Sequence, residues 1–384
     1  MIFLDNAAGS WPKPDAVRKA LSEAPLLYGA NPGRGAYQMT LRTSRMVLAA
    51  RNDLAEFFGI PLSERLVFTS GATAAANMAI FGFLKQGDHV VLSGLEHNAV
   101  WRPLAYLQHQ GVIDVSIVSP NQDGHIDVAE FTKAIKPQTA LLACVHASNV
   151  TGIVNPIEEL GKLARQKNLP LLVDAAQSAG LMPIDVQKMN IALLAFAGHK
   201  SLYGPAGVGG LYVQEGLRLK PLILGGTGSL SEQWQQPEFY PDHLESGSIN
   251  TVGIAGLQAG LNYLKEQDMS EVYGKSMGLA NAFIEKAGQI RGIKFYLPKG
   301  QRVPLVCLNI ENIDASEAAF LLDSDYEVCV RGGLHCTPLA HQYLGTINSG
   351  ALRFSFSNFN TMADVDGAVK ALSVIARRGY VAGS

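Results

Sequence analysis

The chain has 384 residues, 47% of them hydrophobic, with 31 Lys and Arg against 33 Asp and Glu and a formal net charge of -2. That length and apolar content can bury large cores and favour two domains over one. The near balance of charge, with no long run of one sign, argues against a nucleic-acid-binding or membrane-surface protein and leaves small molecules and other proteins as partners. The opening MIFLDNAAGS lacks the basic and apolar regions of a signal peptide, and no stretch approaches the roughly 18 to 20 apolar residues of a membrane span, so the expected location is the cytoplasm. Cys144, Cys307, Cys329 and Cys336 show no CxxC or other metal-ligand spacing, and a chain this long needs no disulfide framework. No metal site is expected.

In chain order, Pro12, Pro14 and Pro32 mark an irregular N-terminal arm ahead of the first helix of the large domain. From Ser63, apolar runs of strand length alternate with segments of helical period. They are RLVFTS, ATAAANMAIFGFLKQ, HVVLSG, VWRPLAYLQHQG, DVSIVSP, DVAEFTKAI, TALLACVHAS, PIEELGKLARQKN, LPLLVDAA and IALLAFAG. This alternation predicts a mostly parallel sheet flanked by helices, and strands apolar on nearly every residue predict a sheet covered on both faces. The glycine-rich stretch after IALLAFAGHK reads as a loop. After about Gly253 a long helical stretch leads to VPLVCLNI, SEAAFLLDSD, YEVCVRGG and ALRFSFS, the pattern of a smaller α+β unit. The expected division is a large domain over 15–253, with 1–14 and 254–384 forming the small one.

Ligands of open parallel sheets sit at the carboxyl ends of the strands. There FTSGATAAAN offers Ala72 and Thr73 at a helix start, which reads either as a phosphate site or as a plain turn with Thr73 as N-cap. His97 follows the next strand, Asn149 another, Asp174 and Gln177 another, and His199 and Lys200 the last. Taken singly, such a histidine is more often an ordinary surface or satisfied one, and such an aspartate a cap. Together they match the needs of pyridoxal 5'-phosphate: amides and hydroxyls for phosphate, a carboxylate for the pyridine nitrogen, donors for the 3'-oxygen and a lysine for the aldehyde. Burial disfavours the ammonium form, so a lysine aimed out of an apolar run can serve as a nucleophile.

Farther along, VCVRGGLHCTPLAHQYLGT places Cys336 in a short glycine loop beside His335, either a small packed hydrophobe or a reactive thiolate. Cys144 and Cys307 lie inside apolar runs and pack. Arg353, in the alternating strand GALRFSFSNFN, is either half of a surface ion pair or a bidentate clamp for an amino-acid carboxylate.

With FLDNAAGSWPKP, NPGRGAYQMT, SGATAAAN, LEHNAVWRP, SNVTGIVNPIEEL, VDAAQSAG, GHKSLYGPAGVGGLYV, LESGSINTVGIAGL, RGGLHCTP and LRFSFSNFNT in place, the chain resembles the class V aminotransferases of fold type I over nearly its whole length. Within them it is most similar to the group II, SufS/CsdA-like cysteine desulfurases. The resemblance implies a seven-stranded, mostly parallel sheet in the large domain and a reaction that converts L-cysteine to L-alanine and a persulfide on Cys336. It assigns the Schiff base to Lys200, ring stacking and acid-base work to His97, the ring nitrogen to Asp174 and the 3'-oxygen to Gln177. Asn149 would lie near the 3'-oxygen and the substrate carboxylate held by Arg353, while Ala72, Thr73 and His199 would bind phosphate. Ser248 would reach the phosphate of a partner subunit, which implies a homodimer, and a SufE-like or other acceptor protein would take the sulfur. Ala197 and Ser248 replace a common Ser or Thr and the usual Thr, and Leu334 stands where relatives have His. L-Selenocysteine is an alternative substrate, and an aminotransferase or C-S lyase an alternative activity. A lyase needs no protein thiol, and a scaffold that keeps only the fold would be expected to lose at least one of Lys200, Asp174, His97 and Arg353.

Overall fold

The computed structural model describes residues 1–33 and 35–382; Arg34 of the NPGRGAYQMT segment, Gly383 and Ser384 lie outside the described residues. The chain opens with β1 (Ile2–Phe3), α1 (Asp15–Leu27) and α2 (Gln38–Phe57). An alternating series follows: β2 (Leu66–Thr69), α3 (Ala72–Phe83), β3 (Asp88–Ser93), α4 (Asn98–His109), β4 (Ile113–Val118), α5 (Val128–Ala134), β5 (Thr139–Val145), α6 (Ile157–Lys167), β6 (Leu171–Asp174), β7 (Leu193–Ala197) and β8 (Gly209–Val213). The remainder comprises α7 (Thr251–Glu266), α8 (Met269–Ala287), β9 (Ile293–Phe295), β10 (Leu305–Ile310), α9 (Ala315–Tyr326), β11 (Val328–Cys329), β12 (Arg331–Gly333), α10 (Pro338–Leu344), β13 (Ala351–Ser355) and α11 (Met362–Ala382). Among the described residues no helix is long and apolar enough to cross a membrane.

The large sheet has seven strands in the order β2-β8-β7-β6-β5-β3-β4. Only β8 runs against its neighbours, so six carboxyl ends lie along one edge. Helix and loop side chains cover both faces, which is why β3, β6 and β7 are buried at every position. Local chemistry sets the boundaries. In α6, Glu158 and Glu159 occupy the first turn, Arg165 and Lys167 the last, and Asn168 ends the helix in the left-handed region, all in keeping with the helix dipole. Asp127, Asp268 and Asp314 cap α5, α8 and α9 through backbone amides two residues on.

Two expectations differ from the structure. The irregular arm is shorter than its prolines suggest, because α1 begins directly after Pro14 and Pro32 falls in the connection to α2. The glycine stretch after Lys200 is not all loop: Gly209–Val213 forms β8, and a Cβ on Gly209 would stand 2.4 Å from the Phe196 carbonyl and 2.7 Å from the Gly71 Cα. Glycine there permits close backbone approach within a strand.

A second sheet, ordered β12-β13-β10-β9, packs with α8, α9 and α11 around its own apolar cluster. The first fourteen residues lie between the two sheets. β1 pairs with β11, Ser355 N donates to the Leu4 carbonyl at 2.7 Å, and Ser10 N donates to the His199 carbonyl at 3.1 Å.

A buried ion pair joins α2 to the segment preceding Ser248. Arg51 Nη1 and Nη2 lie 2.7 and 2.8 Å from Glu245, with both side chains under 10% exposed at 7% and 8%. Glu245 also accepts from Phe68 N at 2.6 Å, and Arg51 donates to the Leu66 carbonyl on edge strand β2. Removing one partner strands a buried charge, so Glu245→Ala is expected to cost about 3–5 kcal/mol in denaturant unfolding. A loss below about 1 kcal/mol would show that the pair behaves like an exposed one.

Candidate active site

Five strand ends converge on one cavity of about 280 Å³ between the sheets. Ala72, Thr73, His97, Asn149, Asp174, Gln177, His199, Lys200 and Arg353 all line it. Ser70, Ala197 and Arg331 contribute further wall. Cys336 is exposed and is not part of the cavity wall, which its neighbours Arg331 and His335 reach; Ser248 is exposed and also off the wall, its Oγ accepting from Asn31 Nδ2 at 3.0 Å.

Lys200 follows β7. Burial carries its amine from the usual 10.5 down to about 8, with Asp174 opposing that shift and Arg353 and Arg331 adding to it. The N-terminal arm fixes the backbone beneath it. Ser10 Oγ donates to the Lys200 carbonyl at 2.8 Å, and Lys13 Nζ donates to the His199 carbonyl at 2.7 Å and to Ser10 Oγ at 2.8 Å. Asp174 is 3% exposed and held by Ala176 N at 2.8 Å on one oxygen. His97 caps α4 by accepting from Ala99 N through Nδ1 at 3.0 Å, which leaves the remaining ring proton on Nε2. Burial and then the surrounding cations against Asp174 hold His97 below its ordinary value, hence neutral.

At the other end of the cavity, α3 begins without any side-chain cap. Gly71, not Thr73, is the N-cap, at φ 143, a conformation that glycine alone adopts readily. Unpaired first-turn amides and the helix dipole make this an anion cradle. His199 adds a buried Nδ1 with no partner among the described residues. These groups and the donor set of Asp174, Gln177 and Lys200 fit pyridoxal phosphate, which α3 and His199 would hold at its phosphate and Asp174 at its ring nitrogen.

Arg353 is 1% exposed and belongs to no surface pair. Its Nη2 lies 2.7 Å from Asp5 Oδ1 and its Nη1 donates to the Asn149 carbonyl at 3.1 Å, while Nε is buried without a partner. Asn149 turns its amide toward the cysteine loop: Nδ2 donates to the His335 carbonyl at 2.7 Å and Oδ1 accepts from Thr337 Oγ1 at 2.7 Å. Gln177 spends one N–H on the Ala7 carbonyl at 2.9 Å and keeps the other.

His335 and Cys336 form a turn with φ 51 and 58, two consecutive left-handed positions without glycine. Each such residue costs roughly 1–2 kcal/mol, so the neighbours must hold the turn in place. Asn149 holds the His335 carbonyl, and Asn98 N donates to the Cys336 carbonyl at 2.7 Å. Arg331 Nη2 lies 3.5 Å from Cys336 Sγ. The other thiols differ: burial pushes Cys307 up to about 12 and Cys144 well up, and Cys329 is half-buried.

Asp5, Ser10, Lys13 and Arg331 do not stand out in the sequence as site residues. Asp5 and Arg331 face Arg353 and Cys336 from other elements, and only the polar content of LDNAAGSWPKP and the Arg five residues before Cys336 hint at them.

The Aminotransferase class-V family matches residues 2–367. A probable cysteine desulfurase of Methanothermobacter thermautotrophicus is 33% identical over 98% of this chain and 95% of its own length. A cysteine desulfurase of Haloferax volcanii is 30% identical over 97% and 88%. Among solved structures, the cysteine desulfurase CsdA from Escherichia coli superposes with a TM-score of 0.88 at 29% identity, covering 98% of this chain and 94% of that one. The apo cysteine desulfurase from Thermococcus onnurineus NA1 gives 0.91 at 29% identity over the same shares. The fold is therefore that of the fold-type-I pyridoxal-phosphate enzymes, and, with a family match spanning nearly all of it, the chain belongs to the class-V aminotransferase family.

Proposed function

We propose that this protein is a pyridoxal-phosphate-dependent cysteine desulfurase that converts L-cysteine to L-alanine and leaves a persulfide on Cys336. The observation that carries the reading is an exposed thiol on a left-handed turn, 3.5 Å from Arg331, which lines the same cavity as Lys200, Asp174 and His97. A C-S lyase has no use for that thiol. The division into a large part, 15–253, and a small part, 1–14 with 254–384, goes with this reading: Lys200 comes from the first, Arg353 and Cys336 from the second.

When bound, pyridoxal phosphate supplies an electron sink for charge developing at the substrate α-carbon. Arg353 orients the substrate carboxylate through its buried Nε edge, with Asp5 and the Asn149 carbonyl fixing the guanidinium plane. Lys200 Nζ, unprotonated in a large fraction near pH 8, takes the α-proton, and neutral His97 exchanges protons from Nε2. The Cys336 thiolate, beside the Arg331 cation, attacks the substrate sulfur. A sulfur-sulfur bond forms, the carbon-sulfur bond breaks, its electron pair stays on carbon, and a proton completes the alanine methyl group. The persulfide then passes to a SufE-like or other acceptor, or to an added thiol.

The deciding assay incubates the purified protein with L-cysteine and a thiol reductant and measures alanine, pyruvate and sulfide together. Alanine with sulfide is expected; pyruvate without alanine makes the protein a C-S lyase. Cys336→Ala is expected to keep the cofactor's absorbance and lose alanine formation by at least about a hundredfold. Alanine at the wild-type rate in that variant overturns the persulfide role.

A second expectation concerns Lys200. Its amine is depressed, so the reactive neutral form gains as pH rises through about 8 instead of 10.5. The rate at which the cofactor-free protein takes up pyridoxal phosphate, followed by absorbance, should climb between about pH 7 and about pH 9 and then level. A rate still rising steeply above about pH 10 would mean an ordinary surface-like lysine.

The working form is a homodimer in which Ser248 serves the partner's phosphate site. Supporting this, Ser248 is exposed, and so are Leu222, Ile223, Leu224 and Trp234 in the segment leading to it, at 44%, 66%, 71% and 99%. Sedimentation should give twice the chain mass, and Leu224→Asp with Trp234→Ser should shift it to the monomer and weaken cofactor retention. A monomeric wild-type protein that retains cofactor would remove Ser248 from the site.

A further inference from the structure

Behind the cysteine turn lies a chain of buried polar groups that meets the cavity wall only at Arg331 and His335. His335 is 2% exposed and His341, on α10, is fully buried. Their rings stack at 5.5 Å and 19°, with His335 Nδ1 3.4 Å from His341 Nε2. His335 Nε2 lies 3.2 Å from the Arg331 carbonyl, and His341 Nδ1 lies 2.8 Å from Thr346 Oγ1.

The proton positions follow from the acceptor at one end. A carbonyl only accepts, so His335 Nε2 carries hydrogen. Burial holds both rings neutral, His335 at about 2 and His341 at about 4. His335 Nδ1 is then an acceptor, His341 Nε2 must donate to it, and His341 Nδ1 must accept from the Thr346 hydroxyl. One tautomer order satisfies every group. Both ends are tied to the site: Arg331 faces the Cys336 sulfur, and the Thr346 carbonyl accepts from Gly350 N at 2.8 Å just before the strand that carries Arg353.

We propose that His341 is a positioning residue: its Nε2–H fixes the His335 ring and thereby holds the left-handed turn that presents Cys336 to the substrate sulfur. This rests on the desulfurase reading for its catalytic consequence. His335 is the first of the two left-handed residues, so a freed ring lets the turn relax and carries the thiol away from Arg331. His341 itself does not line the cavity, so the effect of changing it is expected on the thiol more than on substrate binding.

Two substitutions separate the donor from mere filling of space. His341→Gln places an amide N–H where Nε2 stands and keeps the donor to His335. His341→Asn reaches only the Nδ1 position, keeps the Thr346 contact and loses that donor. In the cofactor-loaded protein, His341→Asn is expected to lower kcat for alanine formation about tenfold or more with KM for L-cysteine within about twofold, and His341→Gln to stay within about threefold of wild type. A second readout needs no turnover: the iodoacetamide alkylation rate of Cys336, resolved from the other cysteines by peptide mass spectrometry. It should change at least about fivefold in the Asn variant and less than about twofold in the Gln variant. Equal behaviour of the two variants, whether both active or both impaired, overturns the proposal. If His341→Asn does not fold, a Gln variant with lost kcat or altered alkylation overturns it, and one that matches wild type supports it. If the wild-type protein makes no alanine, the desulfurase reading falls, and the alkylation comparison still decides whether the relay holds the turn.

Discussion

Lowering the proton affinity of the half-buried Lys200 amine is the constraint on which the rest of the site depends. An unpaired ammonium is poorly tolerated in a cavity walled by strand ends, so burial lowers its proton affinity and makes it a nucleophile. The same burial requires that the lysine backbone not give way. Ser10 and Lys13 meet that need by donating to the carbonyls of Lys200 and His199. Asp174 supplies the opposing charge. One lysine thus determines why the neighbouring sheet end is polar and why the N-terminal arm lies beneath it.

The cysteine turn follows a different logic. Lys200 is made reactive by enclosure, whereas the desulfurase reading asks Cys336 to reach both a buried substrate and an acceptor outside. An exposed thiol on a turn meets both demands only if the turn is rigid, and two left-handed residues are rigid only while their neighbours hold them. Asn149 supplies one hold from the loop after β5 and so couples the large sheet to a loop that continues the small one. The same side chain lines the cavity and holds the turn that carries Cys336.

Much of this was legible in the sequence for a physical reason. Parallel strands buried on both faces are apolar throughout, so the polar residue that ends each run is conspicuous, and Thr73, His97, Asn149, Asp174 and Lys200 fall at five such ends. Where a residue's role depends on an element distant in sequence, the signal disappears. Nothing in LDNAAGS announces that Asp5 lies 2.7 Å from Arg353, and nothing in PLAHQYLGT announces that His341 faces His335. Residue type also misleads where geometry overrides propensity: glycine at 209 and 210 suggests a loop, yet close approach to Phe196 and Gly71 makes it the residue a strand needs there. Asn149 could be placed at the site from its position, but the direction of its amide, toward the cysteine turn, is set by tertiary contacts alone.

The first fourteen residues have a consequence for how the protein is made. β1 pairs with β11, and Asp5 pairs with Arg353, a sequence separation of 348 residues. Loop closure of that length waits on synthesis of nearly the whole chain, since the partner strands do not exist earlier. The large sheet can form on the ribosome, but its ligand edge stays open, with the arm that locks the Lys200 backbone still unanchored. Closure of the arm is therefore a late event in biogenesis, completed only once β11 and Arg353 have been made.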